Sequence, residues 1–383
     1  MENKKILTTW QAACIITGYG IGGGVMSMPY LAQKAGLVPA MLILVFALFA
    51  SYVLHLMIAE VSLRMDEGEG GQLISCLNRF LFKGKYKNLL TVIFCVLMLA
   101  ILLTNLAAYI TGAEEIMVEL LPVSGTVCKI VFYVFAASVV LFGLKAVGIS
   151  EGIAVPVIFA LIFALAAGSL NAEKHAVNLF KSSLNGSLAF YGMAMYALSA
   201  FFGVPQAVEG LKRDEKEIKK ALFLGFFNNF VIIIIVTVFA LLSSKEITEV
   251  AMVGWSAGIG SWAQIIGGAF TVLAMITTYW SLSLALASIV QEQFSWSYKL
   301  CYLAATVPSF ILALFNFASF MSFMRTAGGL ISIIIAVMIV PAYRNARKEC
   351  GGAALLGRLD GKLICILIIA SYILMGIGSI VPV

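Results

Sequence analysis

Apolar segments of about 20 residues recur along the whole chain, and that length crosses a bilayer as an α-helix. Short polar or charged stretches separate them, and the alternating segments of about ten residues that mark membrane β-strands are absent. The pattern predicts an all-α polytopic membrane protein with about eleven transmembrane helices. The predicted spans are 8–34, 38–63, 88–120, 127–144, 152–170, 186–211, 221–243, 262–290, 299–315, 317–342 and 361–382.

The composition agrees with a membrane protein and excludes several other classes. Hydrophobic residues make up 62% of the chain and charged residues only 11%, whereas soluble domains carry roughly a quarter charged residues. The seven cysteines and two histidines form no CxxC motif and no Cys–His cluster, so no zinc or haem site is expected. No phosphate-binding loop or catalytic triad pattern occurs, so neither an enzyme nor an ATP-driven transporter is predicted.

Lysine and arginine positions predict the orientation in the membrane. With the N-terminus placed inside, nineteen of these residues fall in cytoplasmic segments and five in outer segments. This excess follows the positive-inside rule. We therefore expect a multi-pass protein of the plasma (inner) membrane with a cytoplasmic N-terminus and an external C-terminus. Segments 72–82 and 213–220 are predicted to be helical elements at the cytoplasmic surface.

The first predicted span contains the stretch TGYGIGGG at residues 17–24, followed by Pro29. Each glycine inside a helix costs about 1 kcal/mol relative to alanine. The stretch therefore predicts a helix break, although close helix packing through GxxxG spacing is an alternative. Because unpaired backbone cannot face lipid, a break must be buried in protein or line a polar cavity.

Gly203 and Pro205 interrupt the sixth predicted span, where a simple proline kink is the alternative. The two interruptions lie five spans apart, so the second set of five helices enters the membrane with inverted orientation. The spacing predicts a 5+5 inverted repeat with broken helices one and six, plus one extra helix. We divide the chain into a first repeat at 1–170, a second repeat at 171–342, and a loop with the eleventh helix at 343–383.

The segment GYGIGGGVMSMPYLAQKAG resembles the first helix of the amino acid/auxin permease family, within the amino acid–polyamine–organocation superfamily. Three further segments agree with that resemblance: VPQAVEGLKRDEKEIKKALFLG, ITEVAMVGWSAGIG and FTVLAMITTYWSLSLAL. The resemblance implies the leucine-transporter-type fold and secondary transport of amino acids. It also implies that the substrate's carboxylate and amino groups lie against the two broken helices.

Residues of the broken helices are the predicted substrate contacts that the resemblance implies: Gly20, Gly22, Gly23, Gly24, Ser199, Phe201 and Gly203. Asn105 and Tyr109 lie one turn apart on the third span, which faces the substrate in this fold. These two side chains either contact the amino acid or form hydrogen bonds between helices.

Thr277 and Thr278 in the eighth span resemble the paired hydroxyls of sodium-coupled members of this fold. The resemblance implies a possible Na⁺ site completed by the carbonyls of Thr17, Gly20 and Ala274. Oxygen ligands suit such a hard cation, but membrane Ser and Thr hydroxyls also bond back to their own helix. No other cofactor is expected. Proton coupling stays open, although the fifth span lacks a lysine and Lys145 is placed in the preceding loop.

Three ionisable residues in the predicted spans have two interpretations each. Arg325 either pairs with a carboxylate or a substrate acid, or extends towards the outer interface. Glu209 and Glu60 either carry protons or lock an inner gate, or they form ion pairs with nearby basic residues.

The function predicted from these features is the secondary active import of neutral, apolar or aromatic, amino acids by alternating access, coupled to Na⁺ or H⁺. The partners expected are an amino acid substrate, the coupling ion and the lipid bilayer, and no nucleic acid. The alternative is an amino-acid receptor or sensor that has a transporter fold and produces no net flux.

Overall fold

The computed structural model describes residues 5–66, 70–315, 320–352 and 354–382, with the backbone alone over 320–330. All regular elements in these residues are helices. In chain order they are α1 (Thr9–Ile21), α2 (Gly23–Met26), α3 (Met28–Ala35), α4 (Leu37–Leu63), α5 (Leu73–Phe80), α6 (Lys87–Leu120), α7 (Gly125–Val140), α8 (Gly143–Asn171), α9 (Leu184–Ala197), α10 (Gly203–Gly210), α11 (Glu215–Ser243), α12 (Ala251–Ile259), α13 (Ser261–Phe294), α14 (Tyr298–Leu314), α15 (Phe320–Cys350) and α16 (Lys362–Ile380).

The helices account for the eleven predicted spans. Helices α4, α6, α8, α11, α13 and α16 are each long and apolar enough to cross a membrane on their own. Helices α7 and α14 are shorter apolar helices, and α15 forms the tenth span. The first span consists of α1, α2 and α3, and the sixth consists of α9 and α10. Both interrupted spans are therefore the ones that the sequence predicts.

The first break has a local cause in the glycine run. Helix α1 opens with a capping box, in which Thr8 and Gln11 satisfy each other's backbone amides. The helix stops before Gly22, whose ψ of −145° is far from the helical value. A four-residue turn follows, and then Pro29 starts α3 in its first turn, where a missing amide hydrogen is tolerated. Helix α3 ends at Gly36, whose φ of 79° favours glycine.

The second break is a separation of two helices and not a kink in one. Helix α9 ends at Ala197, and α10 begins at Gly203 with Pro205 in its first turn. Because the first amides of a helix need no helical partner, Pro205 starts α10 without losing a hydrogen bond. The five residues between the two helices turn the chain inside the protein.

The predicted start of the fifth span at residue 152 is wrong. Helix α8 begins at Gly143, so Lys145 lies in the helix and Glu151 lies well inside it. The polar and small residues at 148–152 lower the local hydropathy, although this part of the helix faces other helices. The tenth span is also longer than predicted, since α15 continues to Cys350 with Arg347 and Lys348 in its last turn. Basic residues at that end favour the helix dipole.

Helix α13 lies at the centre of the bundle and positions the site. In its most apolar 18 residues 83% are buried, compared with 39–44% for the other five long helices. Helix α1 packs against α13, α8 and α11, whereas α9 packs against α3, α4 and α16. The two broken spans therefore meet beside a helix that is enclosed by protein.

Candidate functional site

A cavity lies where the two breaks face each other. Its volume in this structure is about 30 Å³, which is room for about one or two water molecules. Helices α1, α2, α6, α13 and α15 and the residues that surround the second break all contribute to it. Its lining residues are Tyr19, Gly20, Gly22, Gly23, Gly24, Leu102, Asn105, Tyr109, Tyr196, Ser199, Phe201, Phe202, Thr278, Leu282, Ile331 and Ser332.

The cavity wall is aromatic and electrically neutral. Three tyrosines and two phenylalanines line it, and none of the described lining residues carries a formal charge. The Tyr109 hydroxyl forms hydrogen bonds with Tyr196 and Thr278, so these polar groups are held in a fixed arrangement. Such a wall suits an apolar or aromatic side chain with a few polar groups to orient the ligand.

The structure brings most of the predicted substrate residues together. Gly20, Gly22, Gly23, Gly24, Asn105, Tyr109, Ser199 and Phe201 all line the cavity. Gly203 does not line it, because this residue starts α10 and lies against Ile15, Ile16 and Tyr19. Direct contact of the lining residues with a substrate stays a prediction.

Glycine at position 22 is required by the approach of two side chains. A Cβ atom at this position would lie 2.6 Å from the Tyr109 hydroxyl oxygen and 2.9 Å from Thr278 Oγ1. Both distances are shorter than a normal van der Waals contact. The glycine therefore lets the first break lie directly against α6 and α13.

His55 supports the second break from α4, and the sequence interpretation missed it. Its Nε2 atom accepts a hydrogen bond of 2.8 Å from the Ala200 amide, and its Nδ1 atom lies 2.6 Å from the Ser51 carbonyl oxygen. One acceptor and one donor nitrogen correspond to a neutral imidazole. The ring also stacks on Phe201, with centroids 4.9 Å apart and an interplanar angle of 6°. The contacts hold both the backbone of the break and one cavity wall.

The hydroxyls of the predicted cation site donate to backbone carbonyls. Thr278 Oγ1 lies 2.9 Å from the Gly18 carbonyl oxygen and 3.0 Å from that of Ala274. Thr277 Oγ1 lies 2.9 Å from the Ala274 carbonyl oxygen and 3.4 Å from that of Gly18. Both hydroxyls therefore bond to their own helix, as the alternative interpretation expects, and also to α1.

The other predicted ligands of that site, the carbonyl oxygens of Thr17 and Gly20, stay predictions. The Thr17 hydroxyl donates to the Ala13 and Gly225 carbonyls at 2.9 and 3.3 Å, so it joins α1 to α11. Gly20 lines the main cavity. Within the described part of the chain, hydrogen bonds connect Ala274, Thr277 and Thr278 of the predicted set, all on α13. A sodium site here stays a prediction.

Glu151 is a second residue that the sequence interpretation missed. Its side chain is fully buried on α8 and faces α1 and α13. Ser281 Oγ donates to Glu151 Oε1 at 3.0 Å, whereas Oε2 has no hydrogen-bond partner among the described residues. The available signal was a single carboxylate within an otherwise apolar segment. The span boundary placed at residue 152 hid it.

The three ionisable residues singled out from the sequence have different surroundings. Glu60 is buried in an ion pair with Arg64 and accepts a hydrogen bond of 2.5 Å from the Leu355 amide. Glu209 is exposed at the end of α10 and lines a second pocket, together with Glu292. The side chain of Arg325 lies outside the described residues. Within the described chain, no group of three His, Cys, Asp or Glu side chains could hold a metal ion.

Two solved transporters have the same architecture. MhsT in complex with L-phenylalanine matches with a TM-score of 0.66 at 15% identity, over 96% of this chain and 98% of that chain. Mhp1, a nucleobase-cation-symport-1 family transporter in a closed conformation with bromovinylhydantoin bound, matches with a TM-score of 0.64 at 13% identity. That match covers 98% of this chain and 92% of Mhp1. These similarities show the leucine-transporter-type fold that the sequence resemblance implies.

No curated protein matches the chain significantly. The family model that matches is that of the tryptophan/tyrosine permease family, over residues 5–379. This match agrees with the fold and the transport of amino acids that the resemblance to the amino acid/auxin permease family implies. The chain is therefore a membrane-embedded secondary transporter of neutral or aromatic amino acids, not an enzyme, and it belongs to the tryptophan/tyrosine permease family.

Proposed function

We propose that this protein imports tryptophan or tyrosine across the plasma membrane by alternating access, with its N-terminus in the cytoplasm. The observation that carries the choice of substrate is the neutral, aromatic-lined cavity at the two helix breaks. An amino acid arrives as a zwitterion, and unwound backbone offers both amides and carbonyls to its charged ends. The aromatic wall then selects the side chain.

The lining supplies an apolar surface together with polar groups that can orient a ring. Leu102, Asn105 and Tyr109 are spaced three and four residues apart, so they project from one face of α6 into the cavity. Ser199 Oγ is held by the Tyr196 carbonyl oxygen at 2.7 Å. Indole and phenol substrates each carry one polar group on a large ring, and the lining offers surfaces of both kinds.

The helix breaks also provide the movement that alternating access needs. Four short helices, α1 with α3 and α9 with α10, replace what would be two continuous spans. Each half can tilt against α13 with changes confined to the residues between the halves. Access to the cavity then alternates between the two faces while α13 keeps its place.

Transport in this proposal is driven by a coupling ion, either Na⁺ or H⁺. The predicted Na⁺ site at Thr277 and Thr278 and proton coupling are the two alternatives for energy supply. The resemblance to the amino acid/auxin permease family stays a prediction beside the family match.

The test is uptake of labelled tryptophan and tyrosine into proteoliposomes under an inward sodium gradient or an inward proton gradient. We expect saturable uptake of at least one of them, with inhibition by excess unlabelled aromatic amino acids and none by glutamate or lysine. Asn105→Leu should raise the KM about tenfold or more, because a buried polar contact is worth about 1–3 kcal/mol.

Thr104→Val is the matched control for that variant. Thr104 precedes Asn105 on α6, and its hydroxyl donates, among the described residues, to the Ala100 and Ile101 carbonyls of the same helix. This control should transport as the wild type does. Binding of tryptophan without uptake under either gradient would favour the receptor alternative, and preference for charged amino acids would contradict the proposed substrate class.

A further inference from the structure

Glu151 is the carboxyl group that is best enclosed by the helices around the first break. It is fully buried on α8, and its two oxygens lie beside Gly18 of α1, where a Cβ atom would collide with them. Ser281 of α13 donates to Oε1 at 3.0 Å. The carboxyl group thus lies between α8, the broken span and the central helix.

Among the described residues, no positive charge compensates this group. In the described chain no Lys, Arg or His side chain contacts Glu151, and Oε2 lacks a hydrogen-bond partner. The titratable group that faces it from α1 is the Cys14 thiol, and α13 presents the Ser281 hydroxyl. The other elements packed on α8, namely α7, α10, α11 and α12, direct no charged side chain at it among the described residues.

A carboxylate in such a place is unfavourable, because burial removes its hydration and, among the described residues, only the hydrogen bond from Ser281 replaces it. The closed arrangement therefore favours the neutral acid, which needs a proton. Water that reached the carboxyl group would remove this preference. Since the enclosure includes Gly18 of the broken span, movement of α1 away from α13 and α8 would let water in.

We propose that Glu151 carries the proton that drives transport in this protein. Its carboxylate takes up one proton when the site is open to the outside and crosses the closed state as a neutral carboxylic acid. It returns the proton to water when the cytoplasmic side opens. The inference rests on the proposed function of aromatic amino acid import, and it selects one of the two coupling ions left open there.

The contacts near α13 favour a proton over a metal cation at this carboxyl group. A cation held by Glu151 would need several further oxygen ligands. Among the described residues, Ser281 is the side chain that forms a hydrogen bond with the carboxyl group. A proton needs only the one carboxyl group.

The test compares the wild type with Glu151→Gln, which mimics the neutral acid in shape and cannot release a proton. Two assays in proteoliposomes are run on both: accumulation of labelled tryptophan under an inward proton gradient, and exchange of labelled for unlabelled tryptophan without a gradient. Exchange requires binding and alternating access but no net proton movement. Glu249→Gln is the control, because this glutamate is exposed in the loop before α12.

We expect Glu151→Gln to lose accumulation by at least tenfold and to keep exchange within about threefold of the wild type. Exchange by Glu151→Gln should be independent of pH between 5 and 8. Exchange by the wild type and by Glu249→Gln should depend on pH over the same range. Ser281→Ala should keep accumulation and shift the pH midpoint of exchange.

Accumulation by Glu151→Gln at the wild-type level would overturn the inference, as would wild-type accumulation driven by sodium and abolished in the same variant. If Glu151→Gln loses exchange as well, the next measurement is the pH dependence of tryptophan binding to the purified variant. Binding that follows pH as in the wild type contradicts the inference, and pH-independent binding supports it. Absence of exchange in the wild type would instead contradict the proposed function.

Discussion

The Nε2 atom of His55 accepts a hydrogen bond from the Ala200 amide at 2.8 Å, so a side chain of α4 supplies the partner that the second helix break lacks. Residues 198–202 lie between two helices inside a membrane protein, where each unpaired amide is costly. His55 also stacks on Phe201, which lines the cavity. The same imidazole therefore stabilises the break and sets the position of a cavity wall.

Replacing His55 should affect both stability and transport. His55→Ala leaves the Ala200 amide unpaired, which costs about 1–3 kcal/mol, and it removes the stacking partner of Phe201. We expect a lower unfolding temperature in detergent and a higher KM for tryptophan. His175→Ala is the control, since His175 lies in the segment between α8 and α9. Equal unfolding temperatures for the two variants would contradict this role of His55.

Gly22→Ala should impair substrate binding through a steric effect. The new methyl group would lie 2.6 Å from the Tyr109 hydroxyl oxygen, so the break or Tyr109 must shift. We expect the Kd for tryptophan to rise at least tenfold in an equilibrium binding assay. A second substitution, Tyr109→Phe, removes the closest atom and should restore part of the affinity.

The control for the Gly22 variant is Gly361→Ala, because a Cβ atom at position 361 meets no atom within 4 Å. This control should bind tryptophan as the wild type does. Unchanged binding in Gly22→Ala would show that the first break does not depend on the close approach of Tyr109.

Glu292 connects the end of α13 to the start of α5, and Glu292→Gln should loosen that connection. The carboxylate accepts hydrogen bonds from the Gly71 amide at 2.9 Å, from the Gln72 amide at 3.2 Å and from the Ser75 hydroxyl at 2.6 Å. A negative charge at a helix N-terminus is also favoured by the helix dipole. The neutral glutamine amide accepts fewer of these hydrogen bonds and carries no negative charge to interact with the helix dipole.

The measurement for Glu292→Gln is the rate of maleimide labelling at Cys76, which is buried on α5. We expect faster labelling than in the wild type, in backgrounds that keep only this cysteine. Cys350 is exposed, so its labelling in a matching background should be fast and equal in both proteins. Equal rates at Cys76 would mean that the apolar face of α5 holds the helix without Glu292.

Asp214 should contribute stability that is lost in acid. Lys5 donates a hydrogen bond to its carboxylate at 2.8 Å, and the Glu217 amide donates another at 3.2 Å. These contacts lower the pKa of Asp214 below its ordinary value, with the Lys5 hydrogen bond as the largest cause. Because the folded-state pKa is depressed, the contribution is present above the unfolded pKa of about 4 and disappears as the pH falls through the folded value.

The expected effect of Asp214 is small, since the pair is exposed and salt screens it. Asp214→Asn keeps the capping acceptor and removes the charge. Between about pH 5 and pH 3 the unfolding temperature of the wild type should therefore fall more than that of the variant. High salt should reduce the difference, and a parallel fall in both proteins would contradict the assignment.

The helix breaks could be predicted from sequence because glycine and proline act locally. The run at residues 18–24 and the pair Gly203 and Pro205 make a continuous helix unfavourable whatever surrounds them. The face of α6 that carries Asn105 and Tyr109 could also be predicted, since helical spacing fixes which residues point together.

The contacts between elements could not be predicted in the same way. Gly18 lies in the last turn of α1, where carbonyls have no partner within the helix, but sequence spacing did not show that Thr277 and Thr278 would donate to it. Nor did it show that Thr17 would point to α11. Glu151 was missed for a different reason, since small and polar neighbours lower the hydropathy of a helix segment that faces protein.

The enclosure of α13 has a consequence for how the protein is assembled. In each of the other long helices fewer than half of the most apolar 18 residues are buried, so each can enter lipid as a separate segment. Helix α13 carries buried hydroxyls at Thr277, Thr278 and Ser281 that find acceptors on α1 and α8. It follows that α13 reaches its final environment only after the N-terminal helices have been inserted. A defect in those early helices would thus appear first as misinsertion or degradation of the chain, before any transport could be measured.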